Sequence, residues 1–250
     1  MATTTVNSTA GGQAIKILIP DNYISSAVVY HHGSGENAAS LTGDVLKADV
    51  VTRLLADGYL LASSDAAGNN WGNQAGLDAY SALQDYLVAN YAPTKTAIFS
   101  QSMGGLTGLL TAANGLPGLC AWFGIYPVCS LSSMFALNAG TYAAAIRTAY
   151  GIAANGSDYS TKTAGHDPVL VSPSLFTFLP MRFWASPDDT VVEKTTNSDA
   201  MKTNVTESKA ESEVIICSGD HGDQSHFSPQ NVSDFLARAF IGRTLAQRMA

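Results

Sequence analysis

Thr96-Ala97-Ile98-Phe99-Ser100-Gln101-Ser102-Met103-Gly104-Gly105 joins an apolar run to a glycine-rich one. Its first half is a short run of β-branched, apolar and aromatic residues, which predicts a buried strand over 96–99. The next segment, MGGLTGLLTAAN over 103–114, predicts a helix built from small residues. Ser102 therefore stands at a sharp strand-to-helix turn. Such a turn exposes a nucleophilic hydroxyl above the sheet edge and needs small neighbours two positions to either side. Here those neighbours are Ser100, where the usual pattern has glycine, and Gly104. The helix start also favours negative charge developing at that hydroxyl.

Working outward, strand and helix signals alternate along the chain. Strands are predicted over 14–19, 27–31, 59–62, 119–126, 181–185 and 213–217. Helices are predicted over 45–57, with Gly58 as stop signal, and over 76–91, punctuated by Pro93. A last helix opens at Ser228-Pro229, a capping residue followed by proline in the first turn. Continuous apolar strands separated by amphipathic helices predict a mostly parallel central sheet with helices on both faces. Residues 128–179 interrupt the rhythm. They carry alanine-rich helical pieces and no strand, and are too long for a plain connection. They are expected to form a small inserted cap, dividing the core into 1–127 and 180–250.

Three further segments supply partners for Ser102. Val28 to Glu36 reads as a strand ending in His32-Gly33, which brings loop N–H groups beside the turn. The Ser34 and Met103 N–H groups are the expected oxyanion donors. His32 is expected to shape this loop and to border the pocket. Asp188 and Asp189 follow the strand at 181–185, and Asp188 is the preferred carboxylate, with Asp189 as alternate. Two histidines follow the last strand, His221 in Gly-Asp-His-Gly and His226 in Ser-His-Phe-Ser-Pro. His221 is the preferred general base, with His226 as alternate. Trp71, in the loop 66–72, is a candidate pocket wall, and His166 a structural or pocket-lining residue in the cap.

Composition excludes several classes. The chain has 250 residues, 46% of them hydrophobic and 13% charged, so it can bury a large core. A net charge of −7 argues against nucleic-acid binding, which needs a basic face. No apolar run is long enough to span a membrane. Three cysteines, with no CxxC and no HExxH, predict neither a disulfide framework nor a metal site. No secretory signal is visible at the N-terminus. With the cysteine usage this slightly favours the cytoplasm, while an extracellular or virion setting is also compatible.

Nucleophilic serine, then aspartate, then histidine, each after its own strand, is the chain order of α/β-hydrolases. By these residues the chain resembles that superfamily, within its esterase and lipase branches. The Ser225-His226-Phe227-Ser228-Pro229 segment also resembles the histidine loop of cutinase-like polyester hydrolases, although the cysteine pair that often accompanies that family is missing. The resemblance implies an α/β-hydrolase fold and a cofactor-free serine hydrolase. It would cleave short to medium carboxylic esters, small or linked to a polymer or lipid, through an acyl-enzyme on Ser102. Two other functions stand beside this one: a non-catalytic binding module on the same fold, and a peptidase or amidase using the same residues.

Overall fold

The computed structural model describes residues 2–137 and 141–246. Eight strands form one sheet in the order β1-β2-β4-β3-β5-β6-β7-β8. They are β1 (Thr3–Ala10), β2 (Gln13–Pro20), β3 (Ser26–His31), β4 (Leu60–Ser64), β5 (Lys95–Gln101), β6 (Leu119–Ile125), β7 (Met181–Ala185) and β8 (Ser212–Ile216). The helices are α1 (Ser40–Gly43), α2 (Ala48–Ala56), α3 (Gln74–Tyr91), α4 (Gly104–Ala113), α5 (Leu131–Leu137), α6 (Thr141–Tyr150), α7 (Tyr159–Lys162), α8 (Ala200–Thr206) and α9 (Pro229–Ala246).

From β3 and β4 through β8 every pairing is parallel, whereas β2 runs antiparallel to both β1 and β4. The β1–β2 hairpin turns through Gly11 and Gly12, both with positive φ (55° and 77°). That is the backbone a two-residue turn needs to match strand twist. β1 is absent from the sequence-based expectation because its residues, TTTVNSTA, are polar and mostly exposed along one edge of the sheet. It shows no apolar signal against which a strand could be read.

Side-chain alternation along the strands divides the core into two faces. Val28, Tyr30, Ala97, Phe99 and Phe123 pack with Val50 and Leu54 of α2 and Val232, Phe235 and Leu236 of α9. The intervening residues face the other way. Ala27 and Val29 pack on Tyr80, Leu83 and Leu87 of α3, and Ile98, Trp122 and Phe183 on Leu109 of α4 and Met201 and Val205 of α8. With both faces covered, the central strands are buried along their length and mostly apolar. The stretch containing α8 carries no helix signal in sequence because it is rich in Thr, Asn, Ser and Asp. It is anchored by Met201 and Val205.

Residues 128–179 contain α5, α6, α7 and two short 3₁₀ turns, and no strand among the described residues. Val128, Leu131, Met134, Ile146 and Ile152 cluster with Trp71, Met103 and Leu106, which ties this segment to the loop before α3 and to the start of α4.

Candidate active site

The parallel strands all end on one side of the sheet, and the loops leaving β3, β5, β6, β7 and β8 meet there. His31 pairs with Ser100, and Gln101 with Ile125, so the ends of β3, β5 and β6 lie side by side.

Ser102 sits between β5 and α4 with φ +48°, a strained conformation for a side chain with a Cβ. It is held there from both sides. Its N–H donates to Ile125 O at 3.1 Å, and its carbonyl accepts from Val128 N at 2.8 Å and Gly105 N at 2.9 Å. The turn closes only because Gly104 has no side chain: a Cβ there would lie 2.1 Å from His31 O.

Ser102 Oγ lies 3.0 Å from His221 Nε2, and His221 Nδ1 lies 2.8 Å from Asp189 Oδ2. The other Asp189 oxygen accepts from the N–H groups of Val191 (2.9 Å) and Val192 (2.8 Å). Asp189 is buried and Asp188 is exposed. This corrects the expected preference for Asp188. The Asp188 N–H is bound to Ser186 Oγ at 3.0 Å, and the chain turns so that the next residue points inward. The inward turn has a faint sequence signal, the apolar Val191-Val192 whose amides wrap the Asp189 carboxylate.

Asp220 joins the loops that carry these two groups. Its carboxylate accepts from Thr190 N at 2.9 Å and Thr190 Oγ1 at 3.0 Å on the β7 side, and from His221 N at 2.8 Å on its own. The Thr190 and His221 N–H groups lower its pKa from the ordinary carboxylate value.

His226 does not touch Ser102. It is fully buried, its Nδ1 lies 3.1 Å from Asp223 O, and its ring meets Tyr126 edge-on at 5.2 Å. Burial lowers its pKa. The ring of Tyr126 separates the two histidines, its centroid 4.3 Å from that of His221. His32 is buried behind the loop, with Nδ1 2.8 Å from Gly33 O and Nε2 3.1 Å from Asp65 O. It does not line the cavity, contrary to the expectation that it borders the pocket. His166 Nδ1 lies 2.7 Å from Gly72 O, which ties the segment at 128–179 to the loop holding Trp71.

The cavity above Ser102 has a volume of about 220 Å³. Its lining includes Gly33, Ser34, Glu36, Gln101 and Tyr126. It also includes Trp71, Val128, Met134, Tyr142 and Val191, which belong to one hydrophobic cluster. Trp71 has φ +48° and its ring lies 5.6 Å from that of Tyr142. Ser34 lines the cavity, while the Met103 side chain is buried beside Leu106 and Trp71. Neither the Ser34 nor the Met103 N–H has a hydrogen-bond partner among the described residues. Sequence reasoning missed Glu36, Gln101, Tyr126, Val128, Met134, Tyr142 and Val191 as cavity residues. Glu36 and Gln101 lie inside the two motifs that locate the site, which was the available signal. No group of His, Cys, Asp and Glu among the described residues is placed to hold a metal ion.

No protein-family model matches the sequence, and no curated protein sequence does either. Solved structures are similar in fold. The esterase Pf2001 of Pyrococcus furiosus superposes with a TM-score of 0.68 at 15% identity, over 95% of this chain and 90% of that one. Carboxyl esterase 2 of Tuber melanosporum gives 0.68 at 16% identity, over 90% of this chain and 79% of that one. Prolyl oligopeptidase B of Galerina marginata gives 0.68 at 18%, over 95% of this chain but only 36% of that one. With its strand order and the Ser102 turn, this chain has the α/β-hydrolase fold.

Proposed function

We propose that this protein is a serine hydrolase that cleaves carboxylic esters of short to medium acyl chain through an acyl-enzyme on Ser102. The observation that carries the reading is the unbroken relay from Ser102 Oγ to His221 Nε2 (3.0 Å) and from His221 Nδ1 to Asp189 Oδ2 (2.8 Å). His221 takes the proton of Ser102 as its oxygen attacks the ester carbonyl, then gives it to the leaving alcohol. Asp189 accepts the Nδ1–H bond, which fixes the tautomer that leaves Nε2 free as base. The uncommitted N–H groups of Ser34 and Met103 are the proposed oxyanion donors, a role typically worth about 3–4 kcal/mol per donor. Water, activated by the same histidine, then releases the acid. Every step uses side chains and backbone of this chain.

Segment 128–179 acts in this reading as a cap. It supplies Val128, Met134 and Tyr142 to the apolar part of the cavity lining, which receives the acyl group. A volume of about 220 Å³ is below the range for drug-sized ligands, which favours short acyl chains. An amidase reading with the same residues draws on the fold likeness to prolyl oligopeptidase B.

Steady-state hydrolysis of 4-nitrophenyl esters from acetate to octanoate, beside matched 4-nitroanilides, tests this. The esters should turn over, fastest at the short end, and Ser102→Ala should abolish turnover. Faster turnover of the anilides would favour the amidase, and undiminished activity in Ser102→Ala would contradict both.

A further inference from the structure

The loop after β3 commits almost all of its backbone donors. His32 N–H donates to Tyr80 Oη (3.2 Å), Gly33 N–H to Glu36 Oε2 (2.8 Å), Gly35 N–H to Asn69 Oδ1 (2.7 Å) and Glu36 N–H to Gly33 O (3.3 Å). Only the Ser34 N–H is left uncommitted among the described residues. The Glu36 carboxylate is central to this arrangement. Beside the Gly33 N–H it accepts from Tyr30 Oη at 2.5 Å and from Lys47 Nζ at 2.9 Å. Lys47 is fully buried, an unusual place for an ammonium, and also binds Asp44 Oδ2 at 2.5 Å and Ser40 O at 3.4 Å.

Glu36 and Ser102 line the same cavity. An unneutralised carboxylate there opposes the negative charge that grows on a substrate oxygen during acyl transfer. We propose that Glu36 and Lys47 form a positioning pair for that step. Glu36 sets the loop by accepting the Gly33 N–H, which leaves the Ser34 N–H facing the reacting oxygen. Lys47, shared between Glu36 and Asp44, offsets part of the charge that Glu36 would otherwise impose on it. Neither side chain hydrogen-bonds Ser102, and the pair acts through the loop and the local field. This inference rests on the acyl-transfer reading of Ser102.

The test measures kcat and KM on 4-nitrophenyl acetate, and inhibition by phenylboronic acid. The boronic acid accepts the Ser102 oxygen on boron to give an anionic tetrahedral adduct, with the serine proton passing to His221. Glu36→Gln keeps an acceptor for the Gly33 N–H and should lower kcat by less than about fivefold, whereas Glu36→Ala should lower it by about 30-fold with KM within about threefold. Lys47→Met leaves the carboxylate uncompensated, and should lower kcat and weaken the boronate by about 50-fold each. The double variant Glu36→Gln with Lys47→Met should regain at least about tenfold of the kcat lost in Lys47→Met. A merely structural role makes the double variant worse. The Gln-against-Ala comparison stands even if Lys47→Met does not fold. A kcat for Glu36→Ala within about threefold of the parent, or no recovery in a folded double variant, overturns the positioning role and leaves the hydrolase reading intact. A parent protein that neither hydrolyses esters nor binds the boronate overturns both.

Discussion

His221 Nδ1 lies 2.8 Å from the Asp189 carboxylate, and the exposed Asp188 one residue earlier takes no part in that contact. A carboxylate in this position fixes the imidazole tautomer, and amide replacement reverses that preference at unchanged shape. Asp189→Asn should therefore lower kcat by about 10³–10⁴-fold, and Asp188→Asn by less than about threefold. Steady-state kinetics on one ester checks this. Equal losses in the two variants would mean that neither aspartate orients His221.

The two histidines of the last loop should separate as cleanly. His221→Ala should remove nearly all turnover, since Nε2 is the only base in contact with Ser102 Oγ among the described residues. His226→Phe should keep catalysis within about tenfold, because the ring is buried behind Tyr126 and makes no contact with Ser102. A His226 variant as inactive as His221→Ala would reverse the assignment.

Asp220 should matter for rate and little for binding. It holds Thr190 and His221 together across two loops, so Asp220→Ala releases both at once. We expect kcat to fall by about tenfold with KM nearly unchanged, and Asp220→Asn to recover part of it. A rise in KM with constant kcat would instead place Asp220 in substrate binding.

Stability should fall on the acid side through His31. This histidine is buried, stacks on Tyr80 at 3.5 Å, and neither ring nitrogen has a hydrogen-bond partner among the described residues. Burial, and then the charge of His32, hold its pKa well below the ordinary 6.5. Below that ordinary value the unfolded chain binds a proton that the folded chain refuses, so stability drops as pH falls from about 6.5. His31→Phe keeps the stack without the titrating nitrogens, and the decline in Tm between about pH 7 and 5 should become shallower. An unchanged slope would mean that His31 does not contribute to it.

Legibility in the sequence depends on where each signal resides. The Ser102 turn was legible because it depends on residues adjacent in the chain. The apolar runs of β3, β4, β6 and β7 were legible because these strands are buried along their whole length. β1 was not, since an edge strand of Thr, Ser and Asn buries little. Asp189 was hidden by its twin: choosing between adjacent aspartates requires the backbone direction after Pro187. The set formed by Tyr30, Glu36, Lys47, Gln101 and Tyr126 was beyond reach, because it assembles from separated segments only when β3, β5 and β6 are in register.

Ser102 is proposed as an activated nucleophile. Labelling the intact protein with a fluorophosphonate, followed by peptide mass mapping, reads this out. The phosphonyl group should appear on the peptide carrying Ser102, and be lost from that position in His221→Ala. A well-folded protein that takes no label, or takes it on a different residue, would rule out Ser102 as the nucleophile.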